Sequence, residues 1–440
     1  VEDNYGDLPV AYWVYPENQN EALRSFGKTP DMLEYFNKLT GISYPFEKYD
    51  QIIVSEFMWG GMENITLTHN TDRTMHDSKA QPDHSSDGLV AHELAHQWFG
   101  NMITTRNWAN IWLNEGFATY FSRLYLTKDR GDDEGDYIRF NEIRGFKSAD
   151  KRKRRPTVDF NYEEPFELFS SHVYAKGSLI LNMLHDVLGD DGFWRSIKHY
   201  TAKNKLKNVE TIDLKKSIEL TTGQNLDWFF KQWVYEPGFP EYDVSWTYNQ
   251  RNKLLSLRVK QVQDLKTTSL FKMPINVLID NGTIEEHIIW VEDLDSVFNI
   301  RSDKRPKMVV FNSGLNVPSN LKMQKSVSDL KYQLINAPNV LDRIWAAQQL
   351  SKKKGRKIVE YALSESAKKD SFWAVRSEAY SSLGKLKTKA NQEDFQWIKN
   401  NEKDNRVKRS FIRSLRHQLN DDDVSRFLED IIISDTSYYS

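Results

Sequence analysis

Two histidines flank a glutamate in the segment His92-Glu93-Leu94-Ala95-His96. On an α-helix, side chains four positions apart project from one face about 6 Å apart, so both imidazoles can reach one zinc ion. The chain contains 10 histidines and 62 acidic residues among 440, and a random sequence of this composition would hold the pattern about 0.03 times. The spacing therefore favours a metal site over a helix with two unrelated histidines.

A third candidate ligand, Glu115, follows His96 after eighteen intervening residues. The residues around Glu115 are apolar: Trp112, Leu113, Phe117 and Ala118. A carboxylate in such surroundings usually has a partner, although an exposed helix carboxylate is the alternative. Two histidines and one glutamate leave a fourth zinc position open for water, as in catalytic zinc sites. Glu93 is then placed to take a proton from that water, whose pKa zinc lowers to about 7.

Three motifs of this chain resemble the M1 zinc aminopeptidases of the gluzincin group, which include aminopeptidase N and leukotriene A4 hydrolase. The stretch from His92 to Asn101 (HELAHQWFGN) matches the family almost letter for letter, and the sequence WLNEG surrounds Glu115. Two further family signatures lie in the family's order, namely Gly60-Gly61-Met62-Glu63-Asn64 upstream and Tyr174-Ala175-Lys176-Gly177 downstream. The resemblance is strong over residues 8–240 and looser beyond them.

The resemblance implies a zinc-dependent aminopeptidase that binds one Zn²⁺ per chain through His92, His96 and Glu115. Glu93 and Tyr174 are its implied catalytic residues. Glu93 deprotonates the water, and the phenol of Tyr174 donates a hydrogen bond to the oxyanion of the tetrahedral intermediate. The implied substrates are peptides with a free amino terminus.

The upstream motif supplies the implied substrate-binding residues, Gly60, Gly61, Met62 and Glu63. Glu63 anchors the α-ammonium group of the substrate, which an internal peptide bond lacks. Gly60 and Gly61 allow the substrate backbone to approach an edge strand, and Met62 offers an adaptable apolar wall for the first side chain.

Three other residues lie near these motifs. Phe169 stands where the family often has a residue of the first specificity pocket. Thr119, one turn after Glu115, is expected to hydrogen-bond beside the ligands. Asn110 replaces an acidic residue that many relatives carry, so we expect the hydrogen bonds around the ligands to differ from the family pattern.

The composition narrows the function classes. With 60 basic and 62 acidic residues, the net charge is −2, which argues against a nucleic-acid or anionic-membrane binder. No apolar run approaches the roughly 18 residues of a transmembrane helix. The chain has no cysteine, which excludes thiol nucleophiles and cysteine metal sites. Absence of cysteine slightly favours a periplasmic or secreted location, and a cytoplasmic one stays open.

The elements that position these residues are predicted to form a multi-domain α+β chain. Residues 1–237 are predicted to form a thermolysin-like, mostly α-helical catalytic domain, with strands near 10–15 and 51–57 and a helix that starts after Thr29 with Pro30 at its first position. The basic run 151–155 is predicted to be a solvated loop. The segment 235–240 contains two prolines and a glycine and breaks this pattern.

Beyond that break, two further domains are predicted. Residues 238–318 alternate apolar and polar side chains around Asn281-Gly282, which indicates a hairpin within a small antiparallel β-sandwich. In residues 319–440, Arg343, Ala346 and Leu350 recur 33 positions later. This period favours HEAT-like stacked helix pairs over a plain helical bundle. Residues 434–440 are predicted to fray.

Alternative functions stay open at this point. An endopeptidase would use the same zinc site, although Glu63 argues against it. An epoxide hydrolase is excluded by no residue, and an inactive peptide-binding scaffold is the non-enzymatic alternative. In the family an N-terminal β domain precedes the catalytic domain, so we expect it on a separate piece or absent. The preferred first residue and the oligomeric state do not follow from the sequence.

Overall fold

The computed structural model describes residues 1–80 and 83–434, so the predicted frayed tail lies almost wholly outside it. The fold is mixed α/β. Five strands near the N terminus form one sheet in the order β1-β2-β3-β5-β4. They are β1 (Glu2–Tyr5), β2 (Leu8–Trp13), β3 (Tyr49–Val54), β4 (Gly61–Met62) and β5 (Leu67–Thr71). The predicted strands near 10–15 and 51–57 correspond to β2 and β3.

Helices cover most of residues 22–230. They are α1 (Ala22–Phe26), α2 (Thr29–Thr40), α3 (Asp87–Ala95), α4 (Trp112–Arg130), α5 (Asp132–Arg152), α6 (Ala175–Asn204), α7 (Thr211–Thr222) and α8 (Asp227–Phe230). Helix α2 begins at Thr29, one residue before the predicted first position at Pro30, and ends before Gly41, whose φ is +71°. Helix α6 is interrupted at Gly189, where φ is +69°. Two short strands, β6 (Ile103–Thr105) and β7 (Lys207–Val209), pair in parallel.

Seven strands form two further sheets. They are β8 (Glu241–Asn249), β9 (Leu254–Gln261), β10 (Met273–Asp280), β11 (Ile284–Val291), β12 (Asp295–Arg301), β13 (Met308–Phe311) and β14 (Asn320–Met323). The sheet orders are β11-β10-β13 and β12-β9-β8-β14. The predicted hairpin at Asn281-Gly282 is observed, because β10 and β11 pair antiparallel around it.

One pairing corrects the prediction of an all-antiparallel sandwich. Strand β14 pairs with β8 in parallel, and it lies beyond the predicted boundary at 318. The chain reaches this position after crossing from β13 through a turn at Ser313–Leu315, so β14 enters the sheet from the same end as β8. Parallel neighbours need such a crossover and cannot be read from a hairpin signal.

The remaining described residues are helical: α9 (Val327–Asn336), α10 (Val340–Leu350), α11 (Lys357–Lys369), α12 (Trp373–Leu386), α13 (Gln392–Asn401), α14 (Asn405–Ser414) and α15 (Asp422–Ser434). Arg343 in α10 forms two hydrogen bonds with Asp370 and donates to two carbonyls before its helix. Arg376 in α12 does the same with Glu402 and two preceding carbonyls. The two arginines, 33 positions apart, therefore make equivalent contacts.

Two large hydrophobic clusters hold the molecule together. One joins the N-terminal sheet, helices α2–α8 and the two later sheets, from Val10 to Met323. The other joins the helices from Leu330 to Ile431. Among the helices of the described residues, none is long and apolar enough to cross a membrane.

Candidate metal centre and substrate cavity

Helices α3 and α4 bring the three predicted ligands together. The amide of His96 donates to the carbonyl of His92, so the two side chains follow one helical turn. His92 Nε2 lies 3.3 Å from Glu115 Oε2, His96 Nε2 lies 3.2 Å from that oxygen, and the two nitrogens are 3.1 Å apart. Ligand atoms about 2.0–2.1 Å from a tetrahedral zinc ion lie roughly 3.3 Å from one another. The three side chains therefore fit such an ion.

The orientation of His96 supports this fit. Its Nδ1 lies 3.0 Å from the carbonyl oxygen of Phe99. An Nδ1–H that donates to this carbonyl leaves a lone pair on Nε2, directed at the other two ligand atoms. Metal-binding histidines usually have this second hydrogen bond, which fixes the ring and its tautomer.

The charges of the cluster favour a cation. Burial opposes ionisation of Glu115, but the attraction of His96 and the hydrogen bonds from His92 and His96 together outweigh it and lower the pKa of Glu115 to about 2. Burial likewise opposes protonation of His96, and the negative charges of Glu63 and Glu115 raise its pKa to about 10. Burial lowers the pKa of His92. The carboxylates thus create a buried position for positive charge, which a divalent cation can take.

A close contact between two helices places Tyr174 beside this cluster. A Cβ atom on Gly116 of α4 would lie 2.8 Å from the Cα of Gly177 in α6, and the reverse distance is also 2.8 Å. Only glycines allow the two backbones to approach this far. Tyr174 directly precedes α6, and its ring centroid lies 6.0 Å from that of His92. Burial and the nearby carboxylates raise the pKa of Tyr174, so it stays a neutral phenol.

Glu93 is buried and faces the same space. Its carboxylate packs directly against Gly61, where any Cβ atom would collide with it. Burial raises the pKa of Glu93 to about 8, with Glu63 and Glu115 adding to the rise and His96 opposing it. Gly61 therefore leaves room for the carboxylate of Glu93, a reason for glycine that the sequence did not reveal.

The loop that carries Glu63 is tied to the residues after His96. The backbone carbonyl oxygen of Glu63 accepts hydrogen bonds from Gln97 Nε2 at 3.0 Å and Asn101 Nδ2 at 2.6 Å. Gly61 and Met62 form β4, the outermost strand of its sheet. Sequence reasoning gave Gln97 and Asn101 no role, although both lie within the motif that ends at Asn101. Their amides fix the Glu63 loop against the metal centre.

A single cavity of about 1380 Å³ is lined by all the predicted site residues, namely Gly60, Gly61, Met62, Glu63, His92, Glu93, His96, Glu115 and Tyr174. Phe169 also lines it, with its ring 6.4 Å from that of Tyr174. Thr119 lines the cavity too but makes no side-chain hydrogen bond to a described residue. Asn110 bonds to Thr211 and Asn107 and so holds the start of α7.

The basic run 151–155 departs from its prediction as a solvated loop. Arg155 is buried and donates to the carbonyl oxygen of Leu168 and to Ser170 Oγ. Arg154 bonds to Asp150 and to two threonines of the sheet region. The prediction was wrong for buried Arg155, whereas Arg154 stays exposed. A run of charges looks the same in sequence whether its partners are water or protein.

A paired-histidine centre with a distant glutamate and a buried carboxylate beside it is typical of metallopeptidases. Residues 24–233 match the peptidase family M1 domain, so this segment of the chain is identified as a domain of that family.

Curated relatives and a solved structure agree with this assignment. The chain is 29% identical over 294 residues to probable aminopeptidase 1 of Saccharolobus solfataricus, a match covering 64% of this chain and 37% of that protein. It is 29% identical over 288 residues to human glutamyl aminopeptidase, covering 62% and 30%. The crystal structure of Legionella pneumophila aminopeptidase A in complex with aspartic acid has a TM-score of 0.73 at 21% identity. That match covers 97% of this chain and 50% of that one and shows a shared fold. The chain thus spans less than half the length of these curated relatives.

Proposed function

We propose that the chain is a zinc-dependent aminopeptidase that removes the first residue from peptides with a free amino terminus. The observation that carries this proposal is the distance between the amine anchor and the hydrolytic residues. Ligand atoms of Glu63, Glu93 and His96 lie within 4.8 Å of one another. An α-ammonium group held by Glu63 therefore brings the first peptide bond, and no later one, to Glu93.

Each residue has a distinct task in this proposal. Zn²⁺ bound by His92, His96 and Glu115 supplies Lewis-acid chemistry, which acidifies the attacking water and polarises the scissile carbonyl. Glu93 takes the proton of the water and passes it to the leaving nitrogen. The phenol of Tyr174 donates a hydrogen bond to the oxyanion. The carboxylate of Glu63 binds the ammonium group, and Gly61 and Met62 offer an unpaired strand edge to the substrate backbone.

We also propose a division of the chain into three domains. Residues 1–237 form the thermolysin-like catalytic domain, 238–318 a small β-sandwich and 319–440 a HEAT-like helical domain. The equivalent contacts of Arg343 and Arg376 support the repeat. The shared cluster from Val10 to Met323 indicates that the first two domains are packed as one body. Because strand β14 pairs with β8, the boundary between the second and third domains falls after Met323 rather than at 318.

Names of the relatives support peptide substrates. Probable aminopeptidase 1 and glutamyl aminopeptidase match 64% and 62% of this chain. These names describe the activities of the relatives. That this chain also acts on peptides is part of our proposal.

The experiment compares amino-acyl anilides with their N-acetylated counterparts, using the chain loaded with zinc and the chain treated with a chelator. We expect turnover of the free-amine substrates only, lost after chelation and restored by zinc. Equal turnover of free and acetylated substrates would contradict the exopeptidase proposal. Turnover that survives complete metal removal would contradict the zinc centre.

A further inference from the structure

Four aromatic side chains form one side of the cavity, and we call them the aromatic wall: Trp59, Trp108, Phe166 and Phe169. Trp59 stacks on Phe166 with ring centroids 5.9 Å apart and an interplanar angle of 11°. Phe169 lies 6.2 Å from Phe166 and 6.0 Å from Trp108. The four rings therefore form one continuous apolar surface rather than scattered contacts.

Much of this surface faces the open cavity. Trp59 is 43% exposed, Trp108 is 47% exposed and Phe166 is 66% exposed. Large aromatic surfaces that stay exposed and lie side by side usually mark a binding site. Covering one more aromatic side chain with this surface would bury about 150–250 Å².

The wall is held in place by polar contacts behind it. The turn Pro165–Leu168 carries Phe166, and buried Arg155 donates to the last carbonyl of that turn. The amide of Ile111 donates to the carbonyl of Trp108. The carbonyl of Gly60, next to Trp59, accepts from the amide of Thr71. Because three separate segments are each fixed, the rings are arranged before any ligand arrives.

The position of the wall relative to the chemistry selects one part of the substrate. The first side chain of a peptide leaves the backbone between the amine and the scissile carbonyl. In the proposed function Glu63 holds the amine and Tyr174 faces the carbonyl. Phe169 lies against Tyr174 with ring centroids 6.4 Å apart, and Trp59 immediately precedes the motif that contains Glu63. The wall thus lies beside both the amine and the carbonyl of the first residue of the substrate.

Charges near the wall do not suit a charged first side chain. Among the described residues that line the cavity outside the hydrolytic centre, the charged ones are Arg106, Arg123 and Glu142. Arg123 of α4 pairs with Glu142 of α5 at 3.3 Å. Neither side chain is part of the aromatic wall. Arg106 lies 4.0 Å from Glu210, the limit of an ion pair, and its side chain is 64% exposed. A basic first residue would therefore lose hydration against aromatic rings without gaining a partner, and an acidic one would find only Arg106.

We infer that the first side chain of the substrate packs on the aromatic wall, and that the enzyme selects a large apolar first residue, best an aromatic one. The inference rests on the proposed function, since Glu63 and Tyr174 define where the first residue lies. It adds the substrate class that the motifs leave open.

The test measures kcat/KM for dipeptides X-Ala and Ala-X, with X as Phe, Leu, Ala, Asp or Arg. We expect Phe-Ala to exceed Ala-Ala by about tenfold or more, with Asp-Ala and Arg-Ala lowest. Varying X at the second position should change the rate far less. The variant Phe166→Ala should reduce the preference for Phe-Ala over Ala-Ala by about threefold to tenfold.

The matched control is Phe160→Ala, since Phe160 is 70% exposed and does not line the cavity; its preference should equal that of the unaltered chain. The inference is overturned if the enzyme prefers alanine, acidic or basic first residues, or if its rates depend mainly on the second residue. Neither result would contradict the proposed aminopeptidase activity.

Calorimetric binding of phenylalaninamide and alaninamide separates the two proposals if no dipeptide is cleaved. Tighter binding of phenylalaninamide, lost in Phe166→Ala, supports the wall although the proposed function fails. Equal binding overturns the wall as well.

Discussion

The metal centre and the aromatic wall are two sides of one cavity, built in different ways. The metal centre comes from two adjacent helices, and its ligands His92 and Glu115 lie only 23 positions apart. The wall comes from three segments between Trp59 and Phe169, and of its four residues the sequence motifs pointed only to Phe169. A site built from consecutive helices can be predicted from the spacing of its residues in the sequence. A surface that tertiary packing assembles from distant segments cannot be predicted in this way.

The two regions should also respond differently to substitution. The residues of the metal centre are largely buried, and in the proposed function they act on the peptide bond, which every substrate shares. The wall is proposed to contact a side chain, which differs among substrates. Changes at the centre should therefore lower all rates together, and changes at the wall should alter the ratios between substrates. The predictions below test this contrast from the largest expected effect to the smallest.

Replacing Glu93→Gln should have the largest effect. The amide keeps the shape of the side chain but cannot accept the proton of the water, so kcat/KM should fall by about 10²–10⁴ for every first residue alike. Zinc content should stay at one ion per chain. Steady-state kinetics with metal analysis checks this, with exposed Glu47→Gln as the control. A loss limited to some substrates would contradict a shared role.

Replacing Tyr174→Phe removes one hydrogen-bond donor from the oxyanion. The expected loss in kcat is about 10²–10³ with little change in KM, because the donor acts mainly in the transition state. The control is Tyr361→Phe, at an exposed tyrosine of α11 far along the chain. An unchanged kcat would assign Tyr174 a packing role only.

Replacing Glu63→Gln should remove the charge that recognises the substrate amine. A hydrogen bond between charged groups contributes about 1.5–3 kcal/mol, so kcat/KM for free-amine substrates should fall by roughly ten- to a hundredfold. Acetylated substrates should stay uncleaved by this variant as by the unaltered chain, and exposed Glu47→Gln is the control that should keep kcat/KM unchanged. An unchanged kcat/KM of Glu63→Gln for free-amine substrates would contradict the role of Glu63 as the amine anchor.

The substitution Gly177→Ala should have the smallest effect on catalysis, but it should clearly lower the stability of the fold. The added methyl would meet the backbone of Gly116, and forcing the helices apart should lower the free energy of unfolding by about 1–3 kcal/mol. In the same helix, a Cβ on Gly192 would lie at ordinary contact distances of 3.5 and 3.7 Å.

Gly192→Ala is thus the matched control and should be neutral or stabilising by up to about 1 kcal/mol. Urea unfolding midpoints compare the two variants. Equal midpoints would show that the helices can separate without cost.

Several features of the fold and site follow from the sequence because local physics decides them. The helical turn from His92 to His96, the start of α2 at Thr29 and the hairpin at Asn281-Gly282 depend on neighbouring residues only. Family membership rests on the same kind of short motif and is borne out by the match over 24–233.

Other features depend on contacts between distant segments, and the sequence does not show them. Gly61 is small because Glu93 occupies the space beside it, and Gly177 because Gly116 approaches it. Arg155 is buried by partners that lie 13 and 15 residues away. Strand β14 joins β8 in parallel across the whole sheet region. In each case the deciding neighbour is supplied by tertiary structure.

Anomalous diffraction at the zinc edge, from crystals of the chain loaded with one equivalent of zinc, tests the central claim most directly. The claim is that His92, His96 and Glu115 converge on one catalytic ion. We predict a single strong peak bonded to Nε2 of both histidines and to the carboxylate of Glu115, with Glu93 beside it. A peak elsewhere, or a Glu115 carboxylate turned away from a histidine-bound ion, would contradict the account.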